Sequence, residues 1–89
     1  MSREALREAL LKYFVYIIKL ENGDFYTGST SNVDKRIEYH NQGKVSSTSP
    51  FLPVKLRWFS GFSTKRVALE FEKYLKSSSD FAFRNKRLV

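Results

Sequence analysis

The chain lacks cysteine altogether and carries one histidine among its 89 residues. The first absence excludes disulfide staples, thiolate metal sites and a cysteine nucleophile, and the second excludes a multi-histidine zinc centre. No apolar run approaches the ~20 residues needed to cross a bilayer. The opening Ser2-Arg3-Glu4, followed by charge alternating with Ala and Leu, does not read as a signal peptide. The expected location is the cytoplasm, with no membrane-spanning segment. Length limits the rest. A chain this short buries roughly 60–65% of its unfolded surface around one modest core, which excludes a two-domain, cofactor-holding enzyme.

Acidic residues are also scarce, nine against sixteen Lys and Arg, for a net charge of +7. The imbalance is confined to one half. Residues 1–43 hold six basic and six acidic side chains, whereas residues 44–89 hold ten and three. Such asymmetry suggests a surface that meets a polyanion, nucleic acid first. Fourteen aromatics (Phe 8, Tyr 5, Trp 1) are more than a core of this size requires.

Residues 2–12 read as a short amphipathic helix or extension, capped by Ser2 with Leu6, Leu10 and Tyr13 at helical spacing. Tyr13 to Leu20 (YFVYIIKL) is a β-branched and aromatic run suited to a strand covered on both faces. Asn22-Gly23 supplies a hairpin turn, Phe25-Tyr26-Thr27 returns, and Gly28 is expected to end the strand. Ser31 or Asn32 would cap a helix to about Asn41, with Asp34 in capping-box position and Gly43 as the stop. After the loop GKVSSTSPFLP, Val54-Lys55-Leu56-Arg57-Trp58 alternates with period two and predicts a third strand to about Phe62. Ser63 and Thr64 would cap a second helix, Lys65 to about Lys76, with Val67, Ala68, Phe71 and Leu75 as its buried stripe. The tail SSSDFAFRNKRLV mixes Phe81 and Phe83 with Arg84, Lys86 and Arg87. The expected fold is α+β: a small three-stranded, mainly antiparallel sheet flanked by helices, a β-β-α-β-α core over residues 13–89 after the extra N-terminal helix.

Candidate chemistry gathers at four places. On a helical wheel of about 100° per residue, Arg36 and His40 share the apolar face of Val33 and Ile37. An Arg is rarely set against a core unless it is paired or holds an anion, although a structural pair would account for both residues taken alone. Tyr16 lies within an apolar run, so its hydroxyl needs a partner. Tyr26 precedes Thr27-Gly28-Ser29-Thr30, a donor-rich segment that could admit a phosphate. On the second helix Glu70 and Glu72 flank the buried stripe on opposite margins, and periodicity alone does not choose between them. A lone carboxylate suits Mg²⁺, which keeps several waters and takes substrate phosphate as further ligands.

These pieces resemble the GIY-YIG nuclease domain, found in homing endonucleases, some restriction enzymes, the N-terminal part of the UvrC repair nuclease and small stand-alone bacterial proteins. Phe14-Val15-Tyr16 resembles the first signature element and Tyr26-Thr27-Gly28 the second. Arg36 in DKRIEYHNQGK is similar to the family's helical arginine, with His40 at a spacing several active members use. The later helix ALEFEKYLK aligns the family's metal-binding acid with Glu72. The resemblance extends through GKVSSTSP and into FRNKRL, covering about residues 13–88. Phe14 stands in place of a glycine, Thr27 of an isoleucine, and Ser29 where some members carry a lysine.

What the resemblance implies is a metal-dependent endonuclease acting on nucleic acid, DNA by expectation. Tyr16 would be the general base, His40 its proton acceptor or itself a water activator, and Arg36 the phosphate clamp. Tyr26 would orient Tyr16 or a bound water, and Glu72 would hold one Mg²⁺ or Mn²⁺. Gly28, Ser29, Lys44, Arg84, Lys86 and Arg87 are the expected nucleic-acid contacts. Two alternatives stand beside this reading: a binding module that does not cut, and a catalytic subunit inactive until a partner protein supplies specificity. The hairpin provides a structural test. A strict two-residue turn at Asn22-Gly23 pairs Tyr26 with Lys19 and sends Tyr16 and Tyr26 to opposite faces. A three-residue loop, Glu21 to Gly23 with Gly23 left-handed, puts both on one face, and a shared site requires it.

Overall fold

The computed structural model describes residues 11–77. Three strands, β1 (Tyr13–Lys19), β2 (Phe25–Thr30) and β3 (Lys55–Phe62), form one antiparallel sheet in the order β2-β1-β3. The central place of β1 accounts for its unbroken apolar sequence, because Val15 to Ile18 are buried on both faces of the sheet. Helix α1 spans Val33–Asn41, a single 3₁₀ turn covers Ser49–Phe51, and helix α2 spans Lys65–Lys76. The chain is thus an α+β fold in the expected β-β-α-β-α order. The predicted helix over residues 2–12 lies almost wholly outside the described residues, as does the tail with Phe81 and Phe83. Lys12 is not helical and already joins the sheet edge, its backbone N–H donating to Phe62 at 3.1 Å.

The β1–β2 hairpin adopts the longer loop. Ile18 pairs with Tyr26 and Lys19 with Phe25, and the Leu20 N–H donates to the Asp24 carbonyl at 2.8 Å, leaving Glu21 to Gly23 as the turn. Gly23 holds φ +91°, the left-handed conformation this loop needs at its last residue, and Gly is the residue that adopts it without strain. The pairing places Tyr16, Ile18 and Tyr26 on the same face.

Four expectations are corrected. Strand β2 does not end at Gly28 but runs through it to Thr30, because Gly28 pairs with Tyr16 inside the ladder. The α1 cap is Asn32, whose side chain accepts from the Lys35 N–H at 3.0 Å. That leaves Asp34 one position short of a capping box, and the Asn32 N–H is taken instead by the Thr30 hydroxyl at 3.1 Å. The period-two alternation of β3 is broken by a bulge: Ile17 pairs with Trp58 but Ile18 with Leu56, so Arg57 is the extra residue and Leu56 and Trp58 face opposite ways. Val67 is exposed on α2, whose buried residues are Ala68 and Leu75 with Phe71 half-buried.

Two cores result, one on each face of the sheet. Val15, Ile17, Ala68 and Leu75 form the first, flanked by Tyr13, Phe25, Trp58, Phe62 and Phe71, and α2 covers it. Thr64 starts α2 by accepting from the Val67 N–H at 3.3 Å, and Lys73 and Lys76 sit in its last turn, where the helix dipole favours cations. The second core holds Tyr16, Ile18, Leu20 and Val54, with Tyr26, Ile37, Phe51 and Leu52 against it. Its cover is α1 together with the loop leading to β3. Asn41 at the end of α1 ties that loop down, accepting from the Val54 N–H at 2.8 Å and donating to the Val54 carbonyl at 3.4 Å.

Candidate active site

Strand alternation directs Tyr16 toward α1, and its ring lies across the neighbouring strand at Gly28. A Cβ at Gly28 would collide with the Tyr16 hydroxyl and lie 2.6 Å from its Cζ, so only glycine lets the tyrosine cross here. Helix α1 then brings two side chains from the same face. The Tyr16 hydroxyl is 2.9 Å from His40 Nε2, and the Arg36 Nε–H donates to the Tyr16 oxygen at 3.4 Å. Tyr26 completes an aromatic cluster: its ring packs edge-on against His40 at 5.2 Å between centroids and lies 6.5 Å from that of Tyr16. On its other side, the His40 Nδ1 is 2.9 Å from the Thr48 hydroxyl. Tyr16, His40 and Thr48 have no exposed surface.

The electrostatics follow from burial and from one cation. Burial raises the Tyr16 pKa above 10, opposed by the hydrogen bond and charge of Arg36, with Tyr26 and Glu72 adding smaller upward contributions. Burial lowers the His40 pKa below 6.5, and the Arg36 charge lowers it further. Arg36 is held protonated above all by its bond to Tyr16. At neutral pH the cluster is therefore a neutral phenol, a neutral imidazole and a guanidinium. A deprotonated Tyr16 would find its stabilising charge already in place.

Of the two carboxylates on α2, Glu70 is exposed and Glu72 is half-buried, 16% exposed at its side chain. Glu72 forms an ion pair with Lys76 at 2.6 Å, and the Lys76 ammonium lies 5.9 Å from the centroid of the Tyr26 ring. Lys76 thus links the acid to the tyrosine–histidine cluster at Tyr26. Among the described residues no group of three or more His, Cys, Asp or Glu side chains is gathered.

The structure thus brings Tyr16, Tyr26, Arg36 and His40 together, with Glu72 at the margin and Gly28 beneath Tyr16. Of the other expected nucleic-acid contacts, Ser29 and Lys44 are among the described residues, and Lys44 shares the Tyr39 ring with Arg36. Ser29 pairs with Val15 and belongs to the α2 face, and Lys44 is exposed, 5.6 Å from the Tyr39 ring centroid. Arg84, Lys86 and Arg87 lie outside the described residues. Thr48 was not anticipated, because in sequence it is one of several hydroxyl residues in a stretch that reads as a solvated loop.

The model of the GIY-YIG catalytic domain matches residues 12–86. The chain belongs to the GIY-YIG family. A UPF0213 protein of Bacillus licheniformis is 41% identical over 68 residues, covering 75% of this chain and 70% of that protein. A UPF0213 protein of Staphylococcus haemolyticus is 39% identical over 71 residues, covering 79% and 87%. The solution NMR structure of a UPF0213 protein from Bacillus halodurans is similar with a TM-score of 0.53 and 30% identity over 85% of each chain. In this GIY-YIG domain the two signature segments are the neighbouring strands β1 and β2, and their tyrosines share one face because of the turn at Gly23.

Proposed function

We propose that this domain is a nucleic-acid endonuclease, with DNA as the expected substrate, and that Tyr16 is its general base. The observation that carries the reading is the Tyr16 hydroxyl held between the Arg36 guanidinium and a neutral imidazole nitrogen of His40. The Tyr16 proton passes to His40 Nε2, and the phenolate is stabilised by Arg36. It then takes a proton from the attacking water as the water oxygen bonds to phosphorus and the bond to the leaving 3′ oxygen breaks. Arg36 also neutralises charge on the phosphate in the transition state, and Tyr26 supports the Tyr16–His40 geometry by packing against both rings.

Glu72 would hold the divalent ion. A single carboxylate suits one Mg²⁺ or Mn²⁺ whose remaining ligands are water and substrate phosphate, and a cation already lies on that carboxylate in the form of Lys76. Such an ion would polarise the phosphate and stabilise the leaving oxygen. Lys76 would have to release Glu72 to admit it.

A second reading, binding without cleavage, is favoured by the complete burial of Tyr16, which must be uncovered before water can reach it. The test is cleavage of labelled single-stranded, duplex and flap DNA with Mg²⁺ or Mn²⁺ against EDTA, for the wild type and folded Glu72→Ala and Tyr16→Phe. The expected result is metal-dependent cutting that falls at least ~10²-fold in both variants. Salt-sensitive binding with no cutting by the wild type would replace the nuclease reading with the binding one. Cutting that survives Glu72→Ala would remove Glu72 from the site.

A further inference from the structure

The buried polar atoms around His40 admit one ordering in which every proton has a home. The Tyr16 oxygen accepts from the Arg36 Nε–H, so its own proton needs an acceptor, and with no solvent in contact the atom within reach is His40 Nε2 at 2.9 Å. An Nε2 that accepts leaves the ring hydrogen on Nδ1, which points to the Thr48 hydroxyl at 2.9 Å. That hydroxyl can accept, because its own proton is directed to the Val45 carbonyl at 3.4 Å. The reverse ordering leaves the Tyr16 hydroxyl accepting from both neighbours and its proton buried without a partner.

We propose that Thr48 is a positioning residue: its buried hydroxyl fixes His40 in the Nδ1–H tautomer, keeping the Nε2 lone pair aimed at Tyr16. The catalytic meaning of this arrangement rests on the nuclease reading, whereas the tautomer does not. The backbone gives Thr48 a fixed seat for the task. Its N–H donates to Val45 at 3.1 Å, its carbonyl accepts from the Phe51 N–H at 2.9 Å, and the Asn41–Val54 clamp closes the loop behind it. The hydroxyl is thus set by main-chain bonds independent of His40. A histidine that must receive a proton at one nitrogen commonly depends on the bond made by the other.

Because the chain has a single histidine, a two-bond ¹H–¹⁵N correlation spectrum of uniformly labelled full-length protein near pH 8 reports this ring alone. The expected pattern is Nδ1–H in the wild type and in Thr48→Ser, and a shift toward Nε2–H or a mixture in Thr48→Val. Cleavage kinetics on the same three proteins should show a fall of roughly 10- to 100-fold in kcat for Thr48→Val. KM should stay near the wild-type value, and Thr48→Ser should restore kcat. Nε2–H in the wild type overturns the proposal whether or not the variants fold, as does an unchanged Nδ1–H spectrum in Thr48→Val. No cleavage by the wild type would overturn the nuclease reading and leave the tautomer to be decided by the spectrum.

Discussion

The two faces of the sheet are built from alternate residues of the same strand, yet they do opposite kinds of work. On the α2 face, Val15 and Ile17 meet Ala68, Leu75 and a belt of aromatic rings. On the α1 face, Ile18 packs with Leu20 and Val54, while Tyr16 meets a histidine and an arginine, with a threonine bonded to the far side of the histidine. The first face gains stability by removing apolar surface from water, about 1.5–3 kcal/mol for each large side chain fully buried. The second must offset the burial of polar groups by satisfying each of them, and it does so with a directed chain of hydrogen bonds. The α2 face thus rests mainly on apolar packing, with Thr27 buried among it, whereas the α1 face sets its polar cluster beside an apolar core of its own in Ile18, Leu20 and Val54.

Three perturbations sharpen that contrast, from the largest expected effect to the smallest. Leu75→Ala empties the centre of the α2 face and should destabilise the domain by about 2–5 kcal/mol in urea unfolding. The ¹⁵N signals of His40 should stay unchanged wherever the variant remains folded. A displaced His40 would mean that the two faces are one mechanical unit.

Gly28→Ala attacks the other face. The new methyl group meets the Tyr16 ring and hydroxyl, which are buried and have nowhere to retreat. A loss of about 1–3 kcal/mol is expected, together with a changed Tyr16–His40 contact read from the same spectra. The equivalent change at Gly61 would meet Phe14 Cε1 at 2.9 Å and Leu11 Cδ1 and Cβ at 3.0 and 3.1 Å, in side chains that are only half-buried, and should be milder. Equal losses at the two glycines would contradict the assigned role of Gly28.

The smallest effect concerns pH. The folded-state pKa of His40 lies below its unfolded value through burial and the Arg36 charge, and its other neighbours are the side chains of Tyr16, Tyr26 and Thr48. The unfolded chain therefore binds more protons in this range, so the contribution is fully present above about pH 6.5 and is lost as pH falls toward the folded pKa. Unfolding midpoints should decline between about pH 7.5 and 5.5, the range in which an imidazole takes up its proton. The decline should persist in Leu75→Ala and flatten in a folded His40→Gln variant. An unaltered slope in His40→Gln would place the titration elsewhere.

Much of this was legible in the sequence. Helix α2 and its Thr64 cap follow from an amphipathic period and a residue type that competes well for the first free N–H groups. The three-residue turn was legible for a less local reason: only that register puts two tyrosines together, and Gly23 permits it. Gly28 misled because a glycine after a short aromatic run looks like a terminator, whereas here the missing side chain makes room for a residue of the next strand. The bulge at Arg57 was invisible, since the sequence alternates without interruption and only pairing against β1 shows the slip. Periodicity did not separate Glu72 from Glu70; the resemblance favoured Glu72, and packing leaves Glu70 the more exposed of the two. Thr48 was hidden among other loop hydroxyls because nothing local marks which of them turns inward.

The Asn41 clamp has a consequence for how this chain could change length. By pinning the end of α1 to the start of β3, it makes the intervening segment a closed loop whose two feet stay together whatever lies between them. Lengthening such a loop adds little closure entropy, since each doubling costs only about 0.6 kcal/mol. Ser46 and Ser47 are exposed at its outer side, while Thr48 is anchored just beyond. Extra residues between those two serines would open the Val45–Thr48 turn that seats the Thr48 hydroxyl, so the natural position for a graft is just before Val45, beside the exposed Lys44.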